Sequence, residues 1–155
     1  MHMRFLLPVL AALALSACAT SRPSMSYVAP EVTASDARTL ATDAVDFLAD
    51  PLPPAKTTLL LDPPAVRQGA APDVLTPAIT DSLRARGYGL AVVVDDRPAS
   101  KDVQAIPFRY LASPLDNGIV LRLQFKGQEA TKLYPRTTAG TLLTNGPFLL
   151  REVGQ

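Results

Sequence analysis

The 155-residue chain contains no tryptophan, and it has one histidine and one cysteine. His2 stands ahead of any folded segment, so the body of the chain has no imidazole. Ser-His and Cys-His nucleophilic pairs are thereby excluded. A zinc site would have to rely on carboxylates alone, which structural and catalytic zinc sites do not do. There is no P-loop and no GxGxxG, and Gly87-Tyr88-Gly89 reads as a helix-to-strand turn. Low aromatic content (6%) argues against a sugar-stacking or ligand-caging site. Fifteen basic residues face fourteen acidic ones, without the clustered Lys and Arg that nucleic acid or an anionic lipid patch requires. No apolar run reaches the 18–20 or so residues needed to span a bilayer. No catalytic, cofactor-binding or metal-ligating residue is nominated, and no small-molecule substrate is expected.

One short apolar run is informative. Arg4 precedes Phe5 to Leu15, which only Pro8 interrupts, and Leu15-Ser16-Ala17-Cys18 follows. A basic n-region, an h-region and small residues before the cut describe a secretory signal. A cysteine directly after Ser16 and Ala17 makes it a lipoprotein signal (lipobox), with the Cys18 thiol as acceptor of a diacylglyceryl group. Cys18 is thus the lipidation site, and palmitate is the expected kind of modification. Removal of residues 1–17 takes away Arg4 and His2 and leaves fourteen charges of each sign. With Cys18 acylated, no thiol remains for a disulfide.

The expected organisation is a signal peptide over 1–17, the acylated cysteine with a flexible tether over 18–35, and a periplasmic domain over 36–155. Residues 19–35 are small, polar and broken by proline, with no sustained period. Met25, Tyr27 and Val28 within them could alternatively add to a partner's sheet edge.

The folded part opens with a helix ended by Pro51, Pro53 and Pro54. Ala37, Leu40, Ala41, Ala44, Val45 and Leu48 form its apolar stripe. Thr33 and Asp36 have capping-box spacing, with Ser35 as a competing cap. Thr57–Leu61 reads as a strand. A second helix covers roughly Asp73 to Arg86, with Thr76 preferred as its cap so that Pro77 falls at the first position. Gly87 stops it, and Gly89–Val94 is a buried strand, which completes a βαβ unit with parallel strands. Residues 95–105 read as polar loop. The remainder is β-rich, with a hairpin of 106–113 and 119–126 turning at Asp116-Asn117-Gly118. A Gly127-Gln128 turn, a strand over Glu129–Tyr134, an Asn145-Gly146 turn and a last strand over Phe148–Val153 follow. The expected fold class is α+β: a single small domain with two helices on a mixed sheet, one βαβ unit and C-terminal antiparallel hairpins.

Weaker chemical candidates also have plain readings. Asp95, Asp96 and Asp102 do not match the EF-hand spacing and read as a solvated loop. Glu129 and Glu152 lack an evident partner for acid–base work, and Glu129 is expected to pair with Arg122 on the surface. Tyr134-Pro135-Arg136-Thr137-Thr138 looks like an exposed aromatic and basic cluster. Thr144-Asn145-Gly146-Pro147-Phe148 leads into a terminal strand whose edge could accept a partner.

The chain resembles the conjugal transfer lipoprotein family TrbH. The resemblance rests on the lipobox with its Cys18-Ala19-Thr20 start, the tether, the Leu75…Leu83-Arg84-Ala85-Arg86-Gly87-Tyr88 helix end, and the closing Gly146-Pro147-Phe148…Arg151-Glu152. It covers nearly the whole chain. It implies a lipid-anchored structural or assembly subunit of a conjugative type IV secretion (mating-pair formation) apparatus, with secretion proteins as partners and no catalytic residues to carry over. It also implies, by fold analogy, a domain similar to the N0 domain of secretins. Ala19, where retention at the inner membrane usually takes aspartate, favours the outer membrane. The alternative is a periplasmic lipoprotein that regulates a cell-wall enzyme through transient contact.

Overall fold

Thr33 and Asp36 close the predicted capping box. The Thr33 hydroxyl oxygen accepts from the Asp36 N–H (3.2 Å), and Asp36 Oδ2 accepts from the Thr33 N–H (2.9 Å). Two of the four orphan N–H groups at a helix start are satisfied in this way. Helix α1 then runs over Ala34–Leu48 with its predicted stripe fully buried. The computed structural model describes residues 26–66, 69–94, 97–98 and 104–153. Leu15–Cys18 and the aspartates 95, 96 and 102 lie outside the described residues.

Helix α2 spans Leu75–Arg86. Its N-terminus departs from expectation: Asp73, not Thr76, caps it, with Oδ1 accepting from the N–H groups of Leu75 (3.0 Å) and Thr76 (3.1 Å). Pro77 is tolerated because it falls third in the helix, where an N–H would have no intrahelical acceptor. Gly87 ends α2 in the left-handed region (φ 92°), as expected.

The strands are β1 (Tyr27–Val28), β2 (Thr58–Leu61), β3 (Gly89–Val94), β4 (Arg97–Pro98), β5 (Ile106–Leu115), β6 (Gly118–Phe125), β7 (Gln128–Pro135) and β8 (Leu149–Glu152). They form one mixed sheet in the order β4-β3-β2-β5-β6-β7-β8, with β1 also on β5. Strands β2 and β3 are parallel around α2, which is the expected βαβ unit. Strand β2 is also parallel to β5, and β5 to β8 form an antiparallel meander. The fold is thus the small α+β domain expected, with two helices on a mixed sheet.

Three boundaries shift. The β5–β6 turn is Asp116-Asn117, with Leu115 opposite Gly118, and Gly118 lies in the strand. A Cβ at Gly118 would come within 2.5 Å of the Tyr134 carbonyl oxygen, so glycine is required there by close backbone approach. The next turn is Lys126-Gly127, both with positive φ. Arg97–Pro98, expected to be loop, is a short strand on β3.

The largest difference is at the start of the domain. Tyr27 and Val28 pair in parallel with Leu111 and Ala112. The Ser26 hydroxyl oxygen accepts from the Tyr110 N–H (3.1 Å), and Ala29 and Val32 are core residues. Residues 26–33, read from sequence as tether or as a strand for a partner, are built into the chain's own sheet. Alternation hid this, because a two-residue strand carries no measurable period.

Candidate functional site

Both helices lie on one face of the sheet. Thr76 of α2 hydrogen-bonds the Tyr110 hydroxyl, and Asp43 of α1 accepts from Lys132 Nζ (2.7 Å) and the Tyr134 hydroxyl (2.6 Å). Phe108, Tyr110, Leu121, Leu123, Ala130 and Tyr134 point into this covered side. The side chains between them point the other way, so the opposite face is open.

On the covered side, every buried ionisable group is engaged in holding α1 or α2. Lys132 is 6% exposed and also lies over the rings of Tyr134 and Phe148. Phe148 stacks on Phe47 of α1, with centroids 4.3 Å apart. Arg136 makes a two-pronged ion pair with Asp36 (2.9 and 2.7 Å) and donates to the Gly140 carbonyl. Tyr134-Pro135-Arg136 is therefore no exposed cluster: Tyr134 is fully buried and Arg136 clamps the start of α1. The sequence signal that could have found this is the spacing of Asp36 and Asp43. Seven residues apart, they lie on one helix face, and Lys132 and Arg136 lie on one face of the strand track opposite. Breaking a buried pair of this kind costs a few kcal/mol, about 3. The exposed Arg86–Asp46 pair (2.6 Å) between the helices contributes well under about 1 kcal/mol.

Burial alone would raise the carboxyl of Asp36. The hydrogen bonds from Arg136 and Thr33 and the Arg136 charge outweigh it and hold Asp36 below the usual carboxylate range. Burial raises the Tyr134 phenol, and the neighbouring Asp43 carboxylate raises it further. Burial likewise raises the Tyr110 phenol, opposed by its Thr76 hydrogen bond. Neither phenol is poised for proton transfer near neutral pH.

The open face carries a polar row and apolar rows beside it. In the polar row, Arg109 Nε pairs with Asp62 (2.8 Å), Gln124 donates to Glu129 (3.1 Å), and Arg151 makes two contacts with Glu129 Oε1 (3.0 and 2.6 Å). The partners of Glu129 are thus Arg151, Gln124 and the Thr131 hydroxyl, which donates to Oε1 (3.4 Å). The register sets Arg122 opposite Thr131, so the expected Arg122–Glu129 pair is not made, although the Arg122 charge still acts on Glu129. Burial pushes Glu129 up, and these hydrogen bonds and cations bring it below its ordinary value. Glu152 is exposed at the end of β8.

The adjacent rows carry Tyr27, Leu111, Arg122, Thr131 and Leu149, and then Ser113, Val120 and Leu133. A hollow of about 180 Å³ lies among Leu111, Ser113, Leu115, Val120 and Arg122. Leu149 is 71% and Leu133 46% exposed. Strand β8 ends the sheet path, so its outer edge is unpaired among the described residues.

Among the described residues no set of three or more His, Cys, Asp or Glu converges in a way that could hold a metal ion. Among them, too, no helix is long and apolar enough to cross a membrane. The described residues present two surfaces: an open sheet face and a free strand edge.

No curated protein and no solved structure matches the chain, and the expected likeness to the secretin N0 domain has no match behind it. The family model described as conjugal transfer protein TrbH matches residues 19–152. With nearly the whole domain inside that match, the chain belongs to the TrbH family of conjugal transfer proteins.

Proposed function

We propose that the protein is an outer-membrane lipoprotein, held on the periplasmic face by acyl chains on Cys18. There it acts as a structural and assembly subunit of the conjugative type IV secretion (mating-pair formation) apparatus. The observation that carries this reading is one of position. The family match begins at residue 19, directly after the lipobox cysteine, so the part of the chain that matches the conjugal transfer family starts where acylation would leave the mature chain.

The chemistry fits the role. One acyl chain binds a bilayer marginally, whereas two or three hold a protein stably. The domain brings a strand edge at β8 that is unpaired among the described residues, a surface that a protein neighbour can use. Family membership supports the secretion apparatus as the neighbour, and nothing comparable supports regulation of a cell-wall enzyme.

The test is Cys18→Ser in cells carrying the transfer system. The parent chain should incorporate labelled palmitate, fractionate with the outer membrane and co-purify with secretion subunits from detergent extracts. The variant should accumulate as unlabelled precursor, and plasmid transfer should fall. Normal processing and outer-membrane fractionation of Cys18→Ser would refute the anchor. Recovery of the parent solely as a monomer from detergent would refute the assembly role.

A further inference from the structure

The open sheet face has no cover among the described residues, yet it is not a polar surface. Tyr27 (47% exposed), Leu115 (50%), Leu133 (46%) and Leu149 (71%) stand on it. Leu111 and Val120 are half-buried between them. We propose that this face rests on the phospholipid surface to which Cys18 is attached. The inference rests on the acylation of Cys18 and concerns which side of the domain meets the lipid.

Chain length makes the first argument. Ser26, the first described residue, follows Cys18 by eight positions. Eight residues span at most about 26–29 Å, half the reach that a tether to residue 35 would give. Tyr27 comes next and points to the open face. From β1 across β5, β6 and β7 to β8 is four strand spacings, about 19 Å. The whole apolar part of the face therefore lies within reach of the anchor. The outer surface of the helix layer, about 10–12 Å behind the sheet, lies within the same reach, so the choice between the two faces rests on surface chemistry.

Surface chemistry makes the second. Within the polar row, Asp62 is neutralised by Arg109, and Glu129 by Arg151. Arg122 stands among the apolar rows, exposed, with Leu111 and Thr131 beside it in register. A tyrosine, leucines and an arginine suit the bilayer interface, where the ring and the aliphatic stems enter and the polar ends stay with the headgroup phosphates. Contacts of this kind are weak singly. The acyl anchor holds the face at high effective concentration, so they need only choose the orientation.

The absence of native tryptophan makes the test direct. Single reporters Tyr27→Trp and Leu133→Trp on the open face, and Ala85→Trp on the exposed side of α2, are made in the full acylated protein. Each is reconstituted into vesicles of phosphatidylethanolamine and phosphatidylglycerol with brominated acyl chains. The expected result is loss of emission at positions 27 and 133 and none at 85; either open-face reporter alone suffices. Quenching at 85 equal to or above that at 27 and 133 overturns the proposal. So does acylated, vesicle-bound protein with unquenched open-face reporters that become shielded from aqueous quencher only when secretion subunits are added, because the face then belongs to a protein neighbour. Mass spectrometry of the Cys18 peptide separates the two readings. Missing acyl mass overturns the anchor and this orientation together, whereas acylated protein without open-face quenching overturns the orientation alone.

Discussion

Asp36 and Glu129 are buried carboxylates (3% and 4% exposed) whose partners are all in place. Both ionise below their ordinary values of 3.8 and 4.5. A carboxyl with a depressed folded-state pKa stabilises the fold fully above its unfolded value, and that stability is lost as pH falls through the folded value. Urea midpoints should therefore stay level from pH 7 to about 5 and fall once pH drops below about 4. Arg136→Gln removes the cation that holds Asp36 down. This variant should start less stable at pH 7 and lose less on acidification, so the two midpoint curves converge at low pH. Parallel curves would show that the Asp36–Arg136 pair does not set the acid limit. The raised phenols of Tyr110 and Tyr134 belong to the same logic: burial keeps both neutral, with Tyr134 donating to Asp43, and the pH response comes from carboxylates.

Among the elements, β1 has the greatest consequence for its size. Two residues pair with β5, yet they bring Ala29 and Val32 into the core and deliver Thr33 to its capping position. A chain trimmed to begin at Ser26 should keep the melting temperature of the parent. One trimmed to begin at Ala34, just short of the predicted tether boundary, loses a cap worth about 1 kcal/mol and the burial of Val32 and Ala29, about 2 kcal/mol more. Its urea midpoint should fall accordingly, by about 3 kcal/mol in unfolding free energy. Equal stability of the two trimmed chains would place the domain start near residue 35 after all. Strand β1 also sets the start of the described fold at Ser26, eight positions after Cys18, so an element of two residues bears on where the domain begins.

At the scale of the molecule, the sheet is unevenly secured. Strands β5, β6 and β7 are long, paired on both sides and backed by helices. Strand β8 is fully exposed and paired on one side, and its main link to the core is Phe148 against Phe47 and Tyr134. Local opening follows such differences in contact. Phe47→Ala should accelerate hydrogen exchange at the Leu149–Glu152 amides well before the β5–β6 amides respond. Uniform acceleration over both would mean that β8 opens only with global unfolding. An edge strand held by one ladder, the Arg151–Glu129 pair and one aromatic stack is the part of the sheet that a neighbour can rearrange at least cost, which suits a subunit of an assembly.

The helices, the βαβ unit and the β5–β6 hairpin were legible because each is encoded locally: apolar spacing of three and four, caps at Thr33 and Gly87, alternation from Ile106 to Phe125. The expected anchor motif is likewise read from consecutive residues, Leu15 to Cys18, which lie outside the described residues. The seven-residue spacing of Asp36 and Asp43 marks a shared helix face, but the partners in the Asp43–Lys132, Asp36–Arg136 and Glu129–Arg151 pairs were not legible. Their partners lie 22 to 100 positions apart, and only the register of the sheet and the seating of α1 bring them within hydrogen-bond distance. The same holds for β1, which is too short to show a period and is identified by the strand beside it. The sequence alone determined most of the chain's elements and its class, since these depend on near neighbours. Tertiary structure decided which charges are buried, where the domain begins and which face is left open, since these depend on residues that only folding makes adjacent.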